Sequence, residues 1–304
     1  MTVILPRDGF LAVNGLQLHY RCWMAEEARA DLPAFLLLHG LASSSYIWNL
    51  VAPLLAARGY MVVALDQRGH GESEKPAHGY DFANVLADDR AVVQALGLRR
   101  PIVVGHSWGA QAALEYAAAP QADLSALILV DGAVQQLSRR PGWSLEKALV
   151  ELAPPRYAGV TRETFLGFYA SSPLAQQWTP EIEATVLHIV DQHPDGTISP
   201  RLTFENHLQI IAAMWYQPTL ELYAHVHCPV QIVVAEREPI DAASRQRAQL
   251  REQGLEQIRA LRPAARIVHM RDTIHDIPLQ RPEKLVEEML AFIPAEVISQ
   301  KKSC

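Results

Sequence analysis

Six short runs constrain this chain most: AFLLLHG (34–40), YMVVALD (60–66), PIVVGHS (101–107), ALILVDG (126–132), PVQIVVAE (229–236) and ARIVHM (265–270). Each is largely apolar at consecutive positions rather than alternate ones, the pattern of strands buried on both faces, as in a parallel sheet. Helix-period segments lie between them. YIWNLVAPLLAARG and NVLADDRAVVQALG end at Gly59 and Gly97, where a helix C-terminus favours glycine. The alternation predicts an α/β fold with a mostly parallel, doubly wound sheet. From 133 to 227 the strand pattern lapses, and stretches such as TPEIEATVLHIVDQ and ENHLQIIAAMW predict a helical insertion. Strands then resume, so the insertion interrupts the sheet rather than following it.

Within VVGHSWGA one serine, Ser107, stands between Gly105 and Gly109 where an apolar strand meets the helical stretch WGAQAALEYAAA. A turn that sharp strains its central residue, and glycines two before and two after remove the Cβ atoms that would collide as strand and helix approach. The hydroxyl is left exposed above the sheet. The amide of Trp108, heading the helix, then points to where negative charge develops on an attacked carbonyl oxygen. The bland alternative is a tight turn with an ordinary serine.

Charge and cysteine usage narrow the partners. The formal charge is −6 with positive residues scattered, which leaves no basic patch for nucleic acid or an anionic membrane. Three dispersed cysteines, Cys22, Cys228 and Cys304, spell neither a disulfide framework nor a CxxC metal site. In His225-Val226-His227-Cys228 a further ligand with zinc-like spacing is missing, so this string reads as structural. The start MTVILPRDGF lacks a basic segment followed by a long apolar one. The expectation is a cytoplasmic protein without metal or cofactor, acting on a small molecule.

GHSWG, together with LLLHGLASSSYIW (36–48), LDQRGHGES (65–73) and TIHDIPLQRPEKL (273–285), resembles the α/β-hydrolase superfamily, in the capped branch that also holds epoxide hydrolases and haloalkane dehalogenases. The resemblance covers nearly the whole chain. It implies a core of residues 1–132 and 228–304 and a helical cap, 133–227, inserted after strand 6. Epoxide hydrolases and dehalogenases carry an aspartate as nucleophile, so Ser107 argues against both chemistries.

A serine hydroxyl needs a base, and histidine can both take the proton and return it. His275 follows the last strand and stands where the family places that base. The acid that orients it is aligned to Glu238, after PVQIVVAE; Asp131, ending ALILVDG, competes for the role, and Asp241 and Glu236 remain. The resemblance places the second oxyanion donor at the Leu41 amide, beside that of Trp108. His39, His70 and His106 read as local hydrogen-bonding residues, and Asp66 and Arg68 as braces of their loop. The insertion carries Trp143, Tyr157, Phe165, Phe168, Tyr169, Trp178, Phe204, Trp215 and Tyr216. Some would roof an apolar pocket while others form the cap's own core.

These residues describe a serine hydrolase cleaving carboxylic esters of small to medium apolar substrates through an acyl-enzyme. Lactones and carbon–carbon bonds of diketones are alternatives with the same machinery. From another class comes a non-catalytic small-ligand receptor, although a receptor needs no nucleophile, base and acid in order.

Overall fold

Sheet faces sort the apolar runs. The computed structural model describes residues 4–29 and 31–293, so Cys304 and the first three residues lie outside it. Strands β1 (Arg7–Val13), β2 (Leu16–Trp23), β3 (Phe35–Leu38), β4 (Val62–Leu65), β5 (Ile102–His106), β6 (Ala126–Val130), β9 (Val230–Glu236) and β10 (Arg266–Arg271) form one sheet in the order β1-β2-β4-β3-β5-β6-β9-β10. The pairs β1–β2 and β2–β4 are antiparallel, and the remaining pairs are parallel. This is the mostly parallel sheet that the consecutive apolar positions predict. β7 (Val190–Gln192) and β8 (Ile198–Pro200) pair separately as a short hairpin.

Helices cover both faces. They are α1 (Ala52–Ala56), α2 (Phe82–Ala95), α3 (Trp108–Ala118), α4 (Leu145–Glu151), α5 (Arg162–Ala170), α6 (Pro180–Leu187), α7 (Phe204–Tyr216), α8 (Thr219–Leu222), α9 (Ala242–Leu261), α10 (Ile277–Gln280) and α11 (Pro282–Phe292). Successive strand residues point to opposite sides. Leu36, Leu38, Val63, Val103 and Ile232 pack with residues of α2, α3 and α9. Leu37, Val62, Val104, Ile128 and Val233 pack with α1 and α11. Burying a side chain of this size contributes about 1.5–3 kcal/mol, so the central strands anchor the fold.

Three expectations change. The helix anticipated over 46–59 is a 3₁₀ turn, Ser45–Trp48, and then the five-residue α1. TPEIEATVLHIVDQ is helical only as α6, because its end pairs as β7. The β1–β2 hairpin lies outside the six runs because β2, LQLHYRCW, alternates apolar with polar residues, and β1 pairs with it at the sheet edge. Residues 133–227, between β6 and β9, hold α4 to α8 and the β7–β8 hairpin, so this insertion is mixed rather than purely helical.

Candidate active site

The parallel strands deliver four loops to one edge of the sheet. Ser107 joins β5 to α3 at φ 56° and ψ −119°, outside the regions L-residues ordinarily occupy. The turn is held by the Ser107 amide donating to the Val130 carbonyl at 2.9 Å and by the Ala110 amide donating to the Ser107 carbonyl at 3.0 Å. A Cβ on Gly105 would run into the backbone of Gly109, and one on Gly109 into the carbonyls of Leu38 and His39. Those two glycines are the condition for α3 to start so close to the sheet.

Asp131 ends β6 with φ 45°. Its amide donates to the Val233 carbonyl at 2.7 Å, and its Oδ1 accepts from the Ala235 amide at 2.9 Å. That leaves Oδ2, which lies 2.6 Å from His275 Nδ1. Glu238, the acid aligned from the sequence, is exposed beyond the end of β9 and makes no hydrogen bond to His275 among the described residues. The carboxylate at the imidazole is therefore that of Asp131, because the end of β6 reaches the His275 loop while residues after Glu236 turn outward into α9. Asp241 caps α9 through the Ser244 amide, and Glu236 lies toward Arg271, so neither takes the place of Asp131.

His275 lies in the loop between β10 and α10, with its side chain 52% exposed. Burial in the loop disfavours its charge, but the hydrogen bond and negative charge of Asp131 outweigh it and hold the imidazole above its usual range. Its backbone carbonyl accepts from the Ile277 amide at 2.9 Å and lies 2.9 Å from His106 Nε2. Burial, then the proximity of His275, depress His106 to about 4, so it is a neutral imidazole that donates to this carbonyl and positions the loop.

Two more neutral imidazoles fix the loop after β3. His39 Nδ1 lies 2.8 Å from the Gly40 carbonyl, and its Nε2 accepts from the Gln67 amide at 3.1 Å. His70 Nδ1 lies 2.9 Å from the Arg68 carbonyl while Nε2 accepts from the Ala42 amide at 3.2 Å. Burial lowers both histidines, as acceptor nitrogens require. With Ala42 so tethered at φ 54°, the Leu41 amide has no acceptor among the described residues. The Trp108 amide, in the first turn of α3, has no preceding helical carbonyl. The Trp108 indole is buried and stacks on His70 at 5.3 Å, so it supports this loop from beneath.

The braces are as the sequence suggests, with partners it does not name. Asp66 accepts from the Ser45 amide at 2.6 Å and the Glu72 amide at 2.9 Å and lies 2.8 Å from His19 Nδ1. Against the penalty of burial, these contacts keep its carboxyl far below the ordinary range. Arg68 pairs with buried Asp88 at 2.7 Å. His225 and His227 remain exposed near the start of β9, away from the edge that carries Ser107.

Ser107, Asp131 and His275 line one cleft of about 700 Å³, with Leu137, Leu152 and Met214 as apolar wall. None of the insertion's aromatic side chains lines it, contrary to the aromatic roof expected. Phe165 and Tyr169 pack edge-on at 5.4 Å, with Tyr157 and Trp178 beside them, as the insertion's own core. Tyr157 alone reaches a smaller cavity of about 250 Å³, lined by Ala42, His70 and Leu202, which adjoins the cleft across Leu152.

A family model described as alpha/beta hydrolase fold matches residues 33–282. A non-heme haloperoxidase of Rhodococcus erythropolis is 36% identical over 126 residues, 41% of this chain and 44% of that protein. A soluble epoxide hydrolase of Corynebacterium sp. (strain C12) is 39% identical over 105 residues, 34% of each chain. The chain thus spans less than half the length of these curated relatives. The crystal structure of the enol-lactonase from Burkholderia xenovorans LB400 superposes with a TM-score of 0.68 over 93% of this chain and 99% of that one, at 18% identity, a likeness of fold.

Proposed function

Because the chain belongs to the alpha/beta hydrolase family, we propose that it hydrolyses carboxylic esters of small to medium compounds through an acyl-enzyme, with Ser107 as nucleophile, His275 as base and Asp131 as the acid that orients it. The observation that carries this reading is the 2.6 Å contact between His275 Nδ1 and Asp131 Oδ2 in the cleft that Ser107 also lines.

Ser107 Oγ attacks the ester carbonyl carbon while His275 Nε2 takes the hydroxyl proton, and the carbonyl π pair moves onto oxygen. The amides of Leu41 and Trp108 receive that oxyanion, each worth about 10²–10³ in rate by analogy with other oxyanion donors. Asp131 stabilises the imidazolium and holds the tautomer that presents a bare Nε2. As the intermediate collapses, the C–O bond to the leaving group breaks and His275 returns the proton to it. Water then attacks the acyl-Ser107 carbon, His275 takes its proton, and the acid leaves with Ser107 restored. The route calls for no metal or cofactor. The same reading includes a small-molecule partner and a cytoplasmic setting, supported by two unpaired cysteines, Cys22 and Cys228. Among the described residues no helix is long and apolar enough to cross a membrane.

A p-nitrophenyl ester series from acetate to octanoate tests the reading. Native protein should release nitrophenol with a burst of acyl-enzyme, and Ser107→Ala should lose on the order of 10⁶ in kcat. Equal rates for native and Ser107→Ala would leave a ligand receptor on the hydrolase scaffold.

A further inference from the structure

On a chain of formal charge −6, the cleft around Ser107 is lined by four arginines and a single carboxylate. The carboxylate, Asp131, is committed to His275. Arg140 comes from the segment after β6, Arg237 from the loop after β9, and Arg247 and Arg251 from α9. Ser244, Arg247, Ala248 and Arg251 recur at helical spacing and all line the cleft, so one face of α9 forms its wall. That helix is held against the site: a Cβ at Gly254 would strike the Val134 carbonyl.

The partners of these arginines differ. Arg251 donates through Nη1 to the Ala235 carbonyl at 2.6 Å and lies 3.4 Å from Glu252, so it is largely occupied. Arg140 stacks its guanidinium over Trp143 at 4.5 Å. Arg140, Arg237 and Arg247 have no carboxylate within 4.0 Å among the described residues. Asp241 feels the charge of Arg247 but is engaged in capping α9. Burial, and then the like charge of Arg247, depress the Arg140 guanidinium below its usual range. Like charges collected in a concave, partly buried place without a counterion are suited to receive an anion, since guanidinium forks match the geometry of carboxylate oxygens.

We propose that the substrate cleaved at Ser107 bears an anionic group, of which a carboxylate is the simplest form, seated between Arg140 and Arg247 with its apolar part against Leu137, Leu152 and Met214. This names the substrate class of the reading above and rests on it.

The test compares three esters: neutral p-nitrophenyl valerate, mono-p-nitrophenyl glutarate with its charge on the acyl side, and 3-carboxy-4-nitrophenyl valerate with its charge on the leaving side. At low ionic strength, native protein should show kcat/KM for at least one charged ester about tenfold or more above the neutral one. That ratio should fall by about fivefold or more in Arg140→Gln and in Arg247→Gln, and hold in Arg245→Gln, which removes the same charge from α9 outside the cleft. Arg247 is exposed, so its variant keeps the test sound if loss of the Arg140 stack impairs folding. Turnover of the neutral ester with no advantage for either charged one, or an advantage indifferent to Arg247→Gln, overturns the anionic substrate and leaves the serine-hydrolase reading standing. Failure to turn over any of the three sinks both.

Discussion

Exchanging Asp131 for asparagine isolates the charge behind His275. Asparagine keeps an oxygen that can accept from the Ala235 amide at Oδ1, so the turn after β6 need not open. At the 2.6 Å separation of Oδ2 and Nδ1, a carboxylate and an imidazolium attract by about 6 kcal/mol at an effective dielectric near 20 and by about 2 kcal/mol at that of water. His275 is 52% exposed, so the operative value lies between these limits. At about 1.4 kcal/mol per tenfold in rate, Asp131→Asn then loses about 10³ in kcat, and favouring the wrong tautomer carries it toward about 10⁴. Initial rates on p-nitrophenyl butyrate, with circular dichroism to confirm folding, measure this. Glu238→Gln is the matched control and should stay within about twofold, as expected of an exposed side chain outside the hydrogen-bonded set. A larger loss for Glu238→Gln than for Asp131→Asn, or an Asp131→Asn variant within about tenfold of native, would refute the assignment of the acid.

Three other outcomes follow from the same geometry. His275 must be neutral to act as base, and Asp131 raises it above 6.5; kcat/KM should therefore fall, as pH drops, through a midpoint above 6.5 that moves down in Asp131→Asn, where only the charge of Asp276 still opposes burial. Ser107→Gly should abolish turnover yet raise stability by about 0.5–2 kcal/mol in thermal melts, because glycine tolerates φ 56° at little cost; an unchanged or lower Tm would argue against strain at the turn. Asp89 is buried with neither carboxyl oxygen hydrogen-bonded among the described residues, and burial followed by the charge of Asp88 raises it well above 3.8. The native state then binds the extra proton, so its penalty is absent at low pH and grows as pH rises from about 4. Asp89→Leu should stabilise by about 1–3 kcal/mol near neutrality and by less at pH 4, and a gain independent of pH would count against this account.

The strands that could be read from the sequence were those whose environment is written locally. β3, β4, β5, β6 and β9 are buried on both faces, and burial on both faces leaves consecutive apolar residues, whereas β10, at the sheet's far edge, is largely half-buried and shows only a short run. The β1–β2 hairpin left a weaker mark in Asn14-Gly15, both at positive φ in its turn, because β2, LQLHYRCW, alternates apolar with polar residues instead of running apolar. Ser107 was legible because Gly105 and Gly109 serve a local steric need. The acid was not, since which carboxylate reaches His275 depends on how far β6 extends relative to the outward course of the chain after β9. Which side chains of α9 border the cleft was not legible either, since it follows from the docking of that helix on Val134.

Placing the proposed orienting acid after β6 rather than in the loop after β9 has a practical corollary. From Arg237 through Arg251 the chain can exchange its side chains, and with them the compounds the proposed reaction admits, while the proposed nucleophile, base and acid stay seated on other strands. A designer wishing to retarget the proposed hydrolysis would begin there, treating chemistry and selectivity as separable modules.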